Sequence, residues 1–263
     1  MKCSSIPKPL HGRQRGLSLI ELMVAMVIGC FLILGVTQIF ISNQKSYLFQ
    51  QGQVGNQENG RFALALLAQE LSKAGYRSNV LQPLAINNTL SGCNFANENV
   101  PVLAVSATTL CIQYQASNRA DVTCQGTALS DASKAAIAKP YGPQNPVITE
   151  KIALDSGAKA ITCTTGSTTV PLVTGVQDLR FEYGAGDTEP RSIKVYGVAP
   201  TGIVRMVRYS VLMQSPGNSS LLDTADISPA LKEWNTRYST TYSDTKSIYQ
   251  IVQGTFMVRN LMP

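Results

Sequence analysis

Residues 17–41, LSLIELMVAMVIGCFLILGVTQIFI, form an unbroken apolar run of 25 residues whose only charge is Glu21. As a helix this run reaches roughly 38 Å at about 1.5 Å per residue, more than the ~30 Å hydrocarbon core of a bilayer. Such a segment must find a membrane or an apolar bundle, whatever the rest of the chain does. The sixteen residues ahead of it, MKCSSIPKPLHGRQRG, contain Lys2, Lys8, Arg13 and Arg15 and end in Gly16. Cations on that flank hold the N-terminus in the cytoplasm and send the remainder outward. The whole chain has 22 Lys+Arg against 16 Asp+Glu, and beyond residue 16 the balance falls to 18 against 16. The basic character therefore belongs to the N-terminus and points away from direct nucleic-acid binding.

Three readings of this N-terminus compete. An ordinary secretory signal needs a small-residue cleavage site after the apolar run, and TQIFISNQ offers none. A plain uncleaved anchor leaves Glu21 unexplained, because a carboxylate at mid-bilayer costs about 2.5–3.5 kcal/mol. The third reading is a short leader cut after Gly16, with the apolar segment retained. The string Arg15-Gly16-Leu17-Ser18-Leu19-Ile20-Glu21-Leu22-Met23-Val24-Ala25 resembles the prepilin signal of type IV pilins and type II secretion pseudopilins. The resemblance implies cleavage by a prepilin peptidase between Gly16 and Leu17, N-methylation of Leu17, and an assembly role for Glu21. Phenylalanine is the commoner first residue, so Leu17 departs mildly from the pattern. A physical argument supports the role of Glu21: in an apolar bundle the α-amino group of Leu17 and a carboxylate are each costly to bury alone. Pairing one subunit's amine with a carboxylate offsets both costs and sets axial register.

From residue 42 the pattern turns amphipathic, with Phe62, Leu66, Leu67 and Leu71 at three-to-five spacing, Arg61, Gln69, Glu70 and Lys73 elsewhere, and Gly75 as the stop. No proline occurs between Pro9 and Pro83, so one helix is expected from about Leu17 to Ala74. Gly52, Gly55 and Gly60, each costing up to ~1 kcal/mol against alanine, predict a soft stretch at 52–60. After Gly75 the texture is that of strands. Leu179, Phe181 and Tyr183 alternate with Asp178, Arg180 and Glu182 as in a half-buried antiparallel strand. Further strands are expected at 102–106, 109–116, 146–154, 158–163, 191–198, 203–213 and 248–259, with long loops at 125–145 and 214–246. The fold class is α+β and pilin-like: a long N-terminal α-helix packed on an antiparallel β-sheet C-terminal domain. The expected organisation is a cleaved leader at 1–16, a transmembrane or filament-core helix at 17–41, its amphipathic continuation at 42–75, and a periplasmic β-rich domain at 76–263.

The chain has six cysteines. Cys3 goes with the leader and Cys30 lies inside the apolar helix. Cys93, Cys111, Cys124 and Cys163 remain, an even number in a domain facing an oxidising compartment. Spacing alone allows three pairings. Cys93–Cys111 is favoured for tying the loop after the helix to an early strand, and Cys124–Cys163 for bridging the 125–145 segment. A zinc site is disfavoured, since no CxxC occurs.

Enzyme function finds little footing. The only histidine, His11, lies in the leader, which removes Ser-His-Asp and Cys-His catalysis and His-ligated metals. No Gly-Lys-Ser/Thr phosphate loop, GxSxG or GxGxxG is present. No catalytic residue, metal or cofactor is assigned, and a membrane-anchored enzyme is set aside. Asp187/Glu189 and Asp223/Asp226 lack the ligand density of a calcium loop and are expected in solvated turns. Arg205 and Tyr209 fall on one face of a strand and Arg208 on the other, expected as a salt-bridged surface. Three further stretches resemble the PilW type of minor pilin: Asn59-Gly60-Arg61-Phe62-Ala63 through Ala74-Gly75-Tyr76-Arg77, Cys124-Gln125-Gly126 with the strand at Cys163, and Phe256-Met257-Val258-Arg259-Asn260. That resemblance implies a low-abundance structural subunit of a tip complex that primes pilus assembly. Its partners would be other minor pilins, the major pilin, the prepilin peptidase and the inner-membrane assembly platform. Before assembly it would cross the inner membrane once through Leu17–Ile41, and afterwards lie in the pilus at the cell surface. The alternatives are a J-type minor pseudopilin of type II secretion and a tip adhesin or DNA-binding pilin acting through 214–246.

Overall fold

The structure is a computed structural model, and it describes Gly16 and residues 18–137, 145–187, 192–215, 226–258 and 260. The chain falls into two compact units that divide between Leu48 and Phe49, within one helix. That helix, α1 (Leu19–Lys73), runs unbroken for 55 residues.

The soft stretch expected at 52–60 is helical throughout. The glycines there have a different use. Gly52, Asn56 and Gly60 recur every fourth residue and are buried, so they form one stripe of the helix. A Cβ on Gly60 would stand 2.9 Å from Val252 Cγ1, so the missing side chain lets the helix backbone close onto the sheet. Asn56 Nδ2 on the same stripe donates to the Ile248 carbonyl at 2.9 Å. Ala63, Leu67, Leu71 and Ala74 continue the buried face. Two side-chain placements read from the sequence are thereby corrected. Phe62 is 52% exposed, while Glu70, expected in solvent, is 3% exposed. The seam is set by small residues that permit close approach, so the large aromatic is displaced from it.

The strands form two antiparallel sheets where one was expected. The first is a meander in chain order: β1 (Val102–Ser106), β2 (Thr109–Gln115), β3 (Val147–Asp155), β4 (Ala160–Thr165) and β5 (Thr168–Thr174). The second holds β6 (Val176–Gly186), β7 (Val195–Gly197), β8 (Ile203–Gln214) and β9 (Tyr249–Met257), in the order β7-β6-β8-β9. β5 is an addition to the expected set, and it lies at an edge, where Pro171 removes no needed ladder donor. The expected strand at 191–198 is reduced to β7, and residue 191 lies outside the described residues. Leu67 and Leu71 of α1, Leu110, Ile112 and Tyr114 of β2, Leu179, Phe181 and Tyr183 of β6, and Val207, Tyr209 and Val211 of β8 share one core. A fully buried leucine or phenylalanine contributes about 1.5–3 kcal/mol, so this shared core fastens both sheets to the second half of α1. The other face of β2 is covered by the segment after the helix, where Leu90, Cys93 and Phe95 pack on Cys111.

Both expected long loops contain a helix. Ser130 caps α2 (Asp131–Ala136) by accepting from the Ser133 amide. Ser228 caps α3 (Pro229–Tyr238) by accepting from the Leu231 amide, with Pro229 at the first helical position. α3 carries Trp234 onto the outer face of β6, where the indole Nε1 donates to Asp178 at 3.0 Å. Asp178, expected in solvent, is therefore 1% exposed. Residues 138–144 and 216–225 of these loops lie outside the described residues.

Candidate assembly site on the N-terminal helix

The feature that departs most from a self-sufficient folded protein is the first half of α1. Leu19, Ile20, Leu22, Met23, Phe31, Leu32, Ile33, Leu34 and Phe40 are each more than half exposed. An 18-residue window of the helix reaches a mean hydropathy of 2.7 with none of it buried. From Leu19 to Ile41 the helix spans roughly 35 Å, enough to cross a bilayer core. Glu21 sits in the first turn, exposed, with its amide donating to the Ser18 carbonyl at 3.0 Å. A carboxylate in the first turn faces the positive end of the helix dipole, which eases its presence in an apolar setting. Cys30 is a free thiol on the same surface, and Thr37 Oγ1 returns its proton to the Ile33 carbonyl at 2.7 Å. Gly16 is exposed; residues 1–15, including Cys3, His11 and Arg15, and Leu17 lie outside the described residues.

Residues 11–37 match the family model of the prokaryotic N-terminal methylation motif. The match spans only this N-terminal segment, at the head of α1. The motif brackets Gly16, Leu17 and Glu21 and runs into the apolar half of α1. The fold behind it is a long N-terminal helix followed by antiparallel sheets. Among solved structures it is similar to a type IV-like pilin, TTHA1219, from Thermus thermophilus, at 11% identity and a TM-score of 0.39, covering 78% of this chain and 98% of that one. No curated protein matches the chain.

At the far end of α1 the structure brings together stretches that are distant in sequence. Gly75, in the left-handed region at φ 75°, ends the helix, and its amide donates to the Gln113 carbonyl at 3.0 Å. A Cβ there would stand 2.9 Å from Pro101 Cβ and 3.3 Å from Asn260 Cβ. Asn260 Nδ2 donates to the Ala74 carbonyl at 2.8 Å, so a residue of the closing Phe256–Asn260 stretch caps the Ala74-Gly75 turn. Arg259 lies outside the described residues. Gln125 Nε2 reaches the Cys163 carbonyl at 3.2 Å and the Thr168 carbonyl at 2.7 Å, holding the Cys124-Gln125-Gly126 turn against β4. In the structure Cys93 is joined to Cys111, with Cα atoms 5.8 Å apart, and Cys124 to Cys163, at 6.3 Å.

A buried polar cluster lies beneath the same end of the helix. Glu150 of β3 is 0% exposed. Its Oε1 accepts from the Tyr114 hydroxyl at 2.9 Å and from the Cys124 amide at 2.7 Å, while Oε2 meets no donor among the described residues. Burial raises its pKa from 4.5 to about 7, against the attraction of Lys73 and with the repulsion of Glu70. Lys73 Nζ is held 2.6 Å from Glu70 Oε2. Burial and the Glu150 carboxylate also push the Tyr114 hydroxyl well above its ordinary pKa. Strand alternation puts Glu150 on the face of Ile148 and Ile152, so its face was legible in the sequence though its partners were not.

The remaining predicted positions separate. Arg205 is 2% exposed and donates to the Asp187 carbonyl at 2.6 Å, so it is no surface residue. Arg208 stays at the surface, 3.7 Å from Glu182. Asp187 pairs with Lys194 at 2.5 Å; Glu189 and Asp223 lie outside the described residues.

Proposed function

We propose that this chain is a minor pilin of the PilW type, a structural subunit of a tip complex that primes pilus assembly, with no catalytic activity. The observation that supports it most is the apolar first half of α1, exposed along its length and interrupted only by Glu21. A subunit with this surface is incomplete until lipid or other helices cover it. On this reading the peptidase cuts after Gly16, Leu17 becomes the methylated N-terminus, and its amine pairs with a Glu21 carboxylate to set register. Residues 17–41 cross the inner membrane, with the N-terminus cytoplasmic and the β-rich domain periplasmic until extraction into the pilus. Its partners are other minor pilins, the major pilin and the assembly platform. The meeting of the Ala74-Gly75 turn with Asn260, and of Gln125 with β4, is consistent with the PilW resemblance of those stretches.

A clean deletion strain tests the assignment by counting surface pili and assaying exoprotein secretion in the same culture. Lost or sharply reduced pili with normal secretion is the expected result. Normal pili with failed secretion would transfer the protein to the minor pseudopilins, and two intact phenotypes would leave a dispensable tip adhesin.

A further inference from the structure

The outer face of the second sheet carries a cavity of about 270 Å³ at the C-terminal turn of α3, bordered by Ala107, Arg180, Glu182, Val198, Arg237 and Ser239. The charges around it are unevenly matched. Arg180 is committed inward, its Nε and Nη2 donating to Asp178 Oδ2 at 3.1 and 2.9 Å. Arg208 and Arg237 share one acceptor, Glu182 Oε2, at 3.7 and 3.2 Å. Two guanidiniums bring roughly ten N–H donors to a single carboxylate, and both contacts are long for charge-assisted bonds, which run about 2.7–2.9 Å. Three cations thus meet two carboxylates at this spot among the described residues.

Two of the arginines also lie over one aromatic ring. Arg237 lies 5.2 Å and Arg180 5.8 Å from the centroid of the Tyr238 ring, which packs 4.5 Å from Trp234. A guanidinium held beside an aromatic ring loses less entropy when an acceptor arrives. The nearby helix end opposes an anion only weakly. Its Asn235 carbonyl already accepts from the Thr240 and Ser239 amides.

We infer that this cavity receives an acidic side chain of a partner protein, its carboxylate docking on Arg237 while Glu182 stays with Arg208. Charge complementarity favours a protein carboxylate over a nucleic-acid strand. A single excess cation suits one carboxylate. A phosphate backbone needs a continuous basic track, and the burial of Arg205 leaves none along β8. The inference rests on α3, β6 and β8, so it stands or falls separately from the reading of the N-terminus.

Trp234, the only tryptophan, touches Tyr238 and reports on the site. The full chain in mild detergent is titrated with acetyl-Gly-Glu-Gly-amide while Trp234 emission is followed. A saturable change is expected with this peptide and none with its Gln counterpart. Arg237→Gln should weaken binding roughly tenfold or more, with Arg237→Lys between the two, and thermal melting of the variants should match the parent because Arg237 is at the surface. An equal response to the Gln peptide, or unchanged binding in Arg237→Gln, would overturn the inference. Tighter binding of a thymidine oligonucleotide at the same residues would also overturn it, in favour of a phosphate site.

Discussion

Glu150→Gln should stabilise the protein strongly at pH 8 and much less at pH 5. Glu150 is fully buried, with one oxygen satisfied by the Tyr114 hydroxyl and the Cys124 amide and the other unmatched among the described residues. Burial is the largest influence on its proton affinity and raises the pKa from 4.5 to about 7. Between those values the folded chain retains a proton that the unfolded chain has released, so stability falls as pH rises across this window. Below about pH 4.5 the carboxyl is neutral in both states and exacts no cost; above about pH 7 the cost is complete. At roughly 1.4 kcal/mol per pH unit it amounts to about 3 kcal/mol. Glutamine keeps the acceptor toward Tyr114 and Cys124 and removes the charge, so most of that cost should disappear. For a domain of this size, roughly 3 kcal/mol is a melting shift of about 6–12 °C. Calorimetry of the full chain in detergent, with disulfides intact, at pH 5, 6, 7 and 8 is the assay. The parent melting temperature should decline across the series, and the variant should stay flatter and melt higher at pH 8. A variant that melts below the parent at pH 8, or two parallel profiles, would refute the reasoning. It would mean that Lys73 and the two hydrogen bonds outweigh desolvation and that Glu150 is ionised at little cost.

Gly16→Val should leave full-length precursor in the membrane, read as a larger band on immunoblots against the processed parent. Glu21→Ala should be processed normally yet fail to enter sheared pili. Glu21→Gln should fail as well, because pairing with the amine of Leu17 needs the charge, whereas a glutamate lying at the interface would tolerate the amide. Gly60→Val should lower stability by about 1–3 kcal/mol through overpacking against Val252, seen as a fall in melting temperature without loss of helicity. Non-reducing peptide mapping should recover Cys93 linked to Cys111 and Cys124 linked to Cys163, and any crossed pair would contradict the fold.

The strands were legible wherever alternation was strict, as at Leu179-Arg180-Phe181-Glu182-Tyr183, because a half-buried strand writes its two faces into the residue order. β5 was not, since its Thr168-Thr169 start and Pro171 suit an edge and resemble a turn. α3 had a usable signal in Ser228-Pro229, a capping residue followed by proline at the first helical position. The surrounding Ser, Thr and Asn masked it. The packing face of α1 was misjudged because hydrophobic size was weighed more heavily than close approach. Gly52, Asn56 and Gly60 mark the seam, and that depends on where Val252 lies, which local sequence does not contain. In the candidate site, Gly16, Leu17 and Glu21 stood out because their chemistry is contiguous. Glu150 with Tyr114, and Arg237 with Glu182, are joined only by the tertiary fold.

The two cross-links also bear on how the chain matures. Cys93–Cys111 closes before Cys124–Cys163 begins, so neither loop encloses or interleaves with the other. Whichever end of the domain reaches an oxidising compartment first, each cysteine meets its partner before a member of the other pair is needed. Of the three possible connectivities, this is the one that oxidation in simple order of appearance produces. A thiol oxidase alone should therefore suffice, and the slow reshuffling that interleaved bridges demand has nothing here to correct.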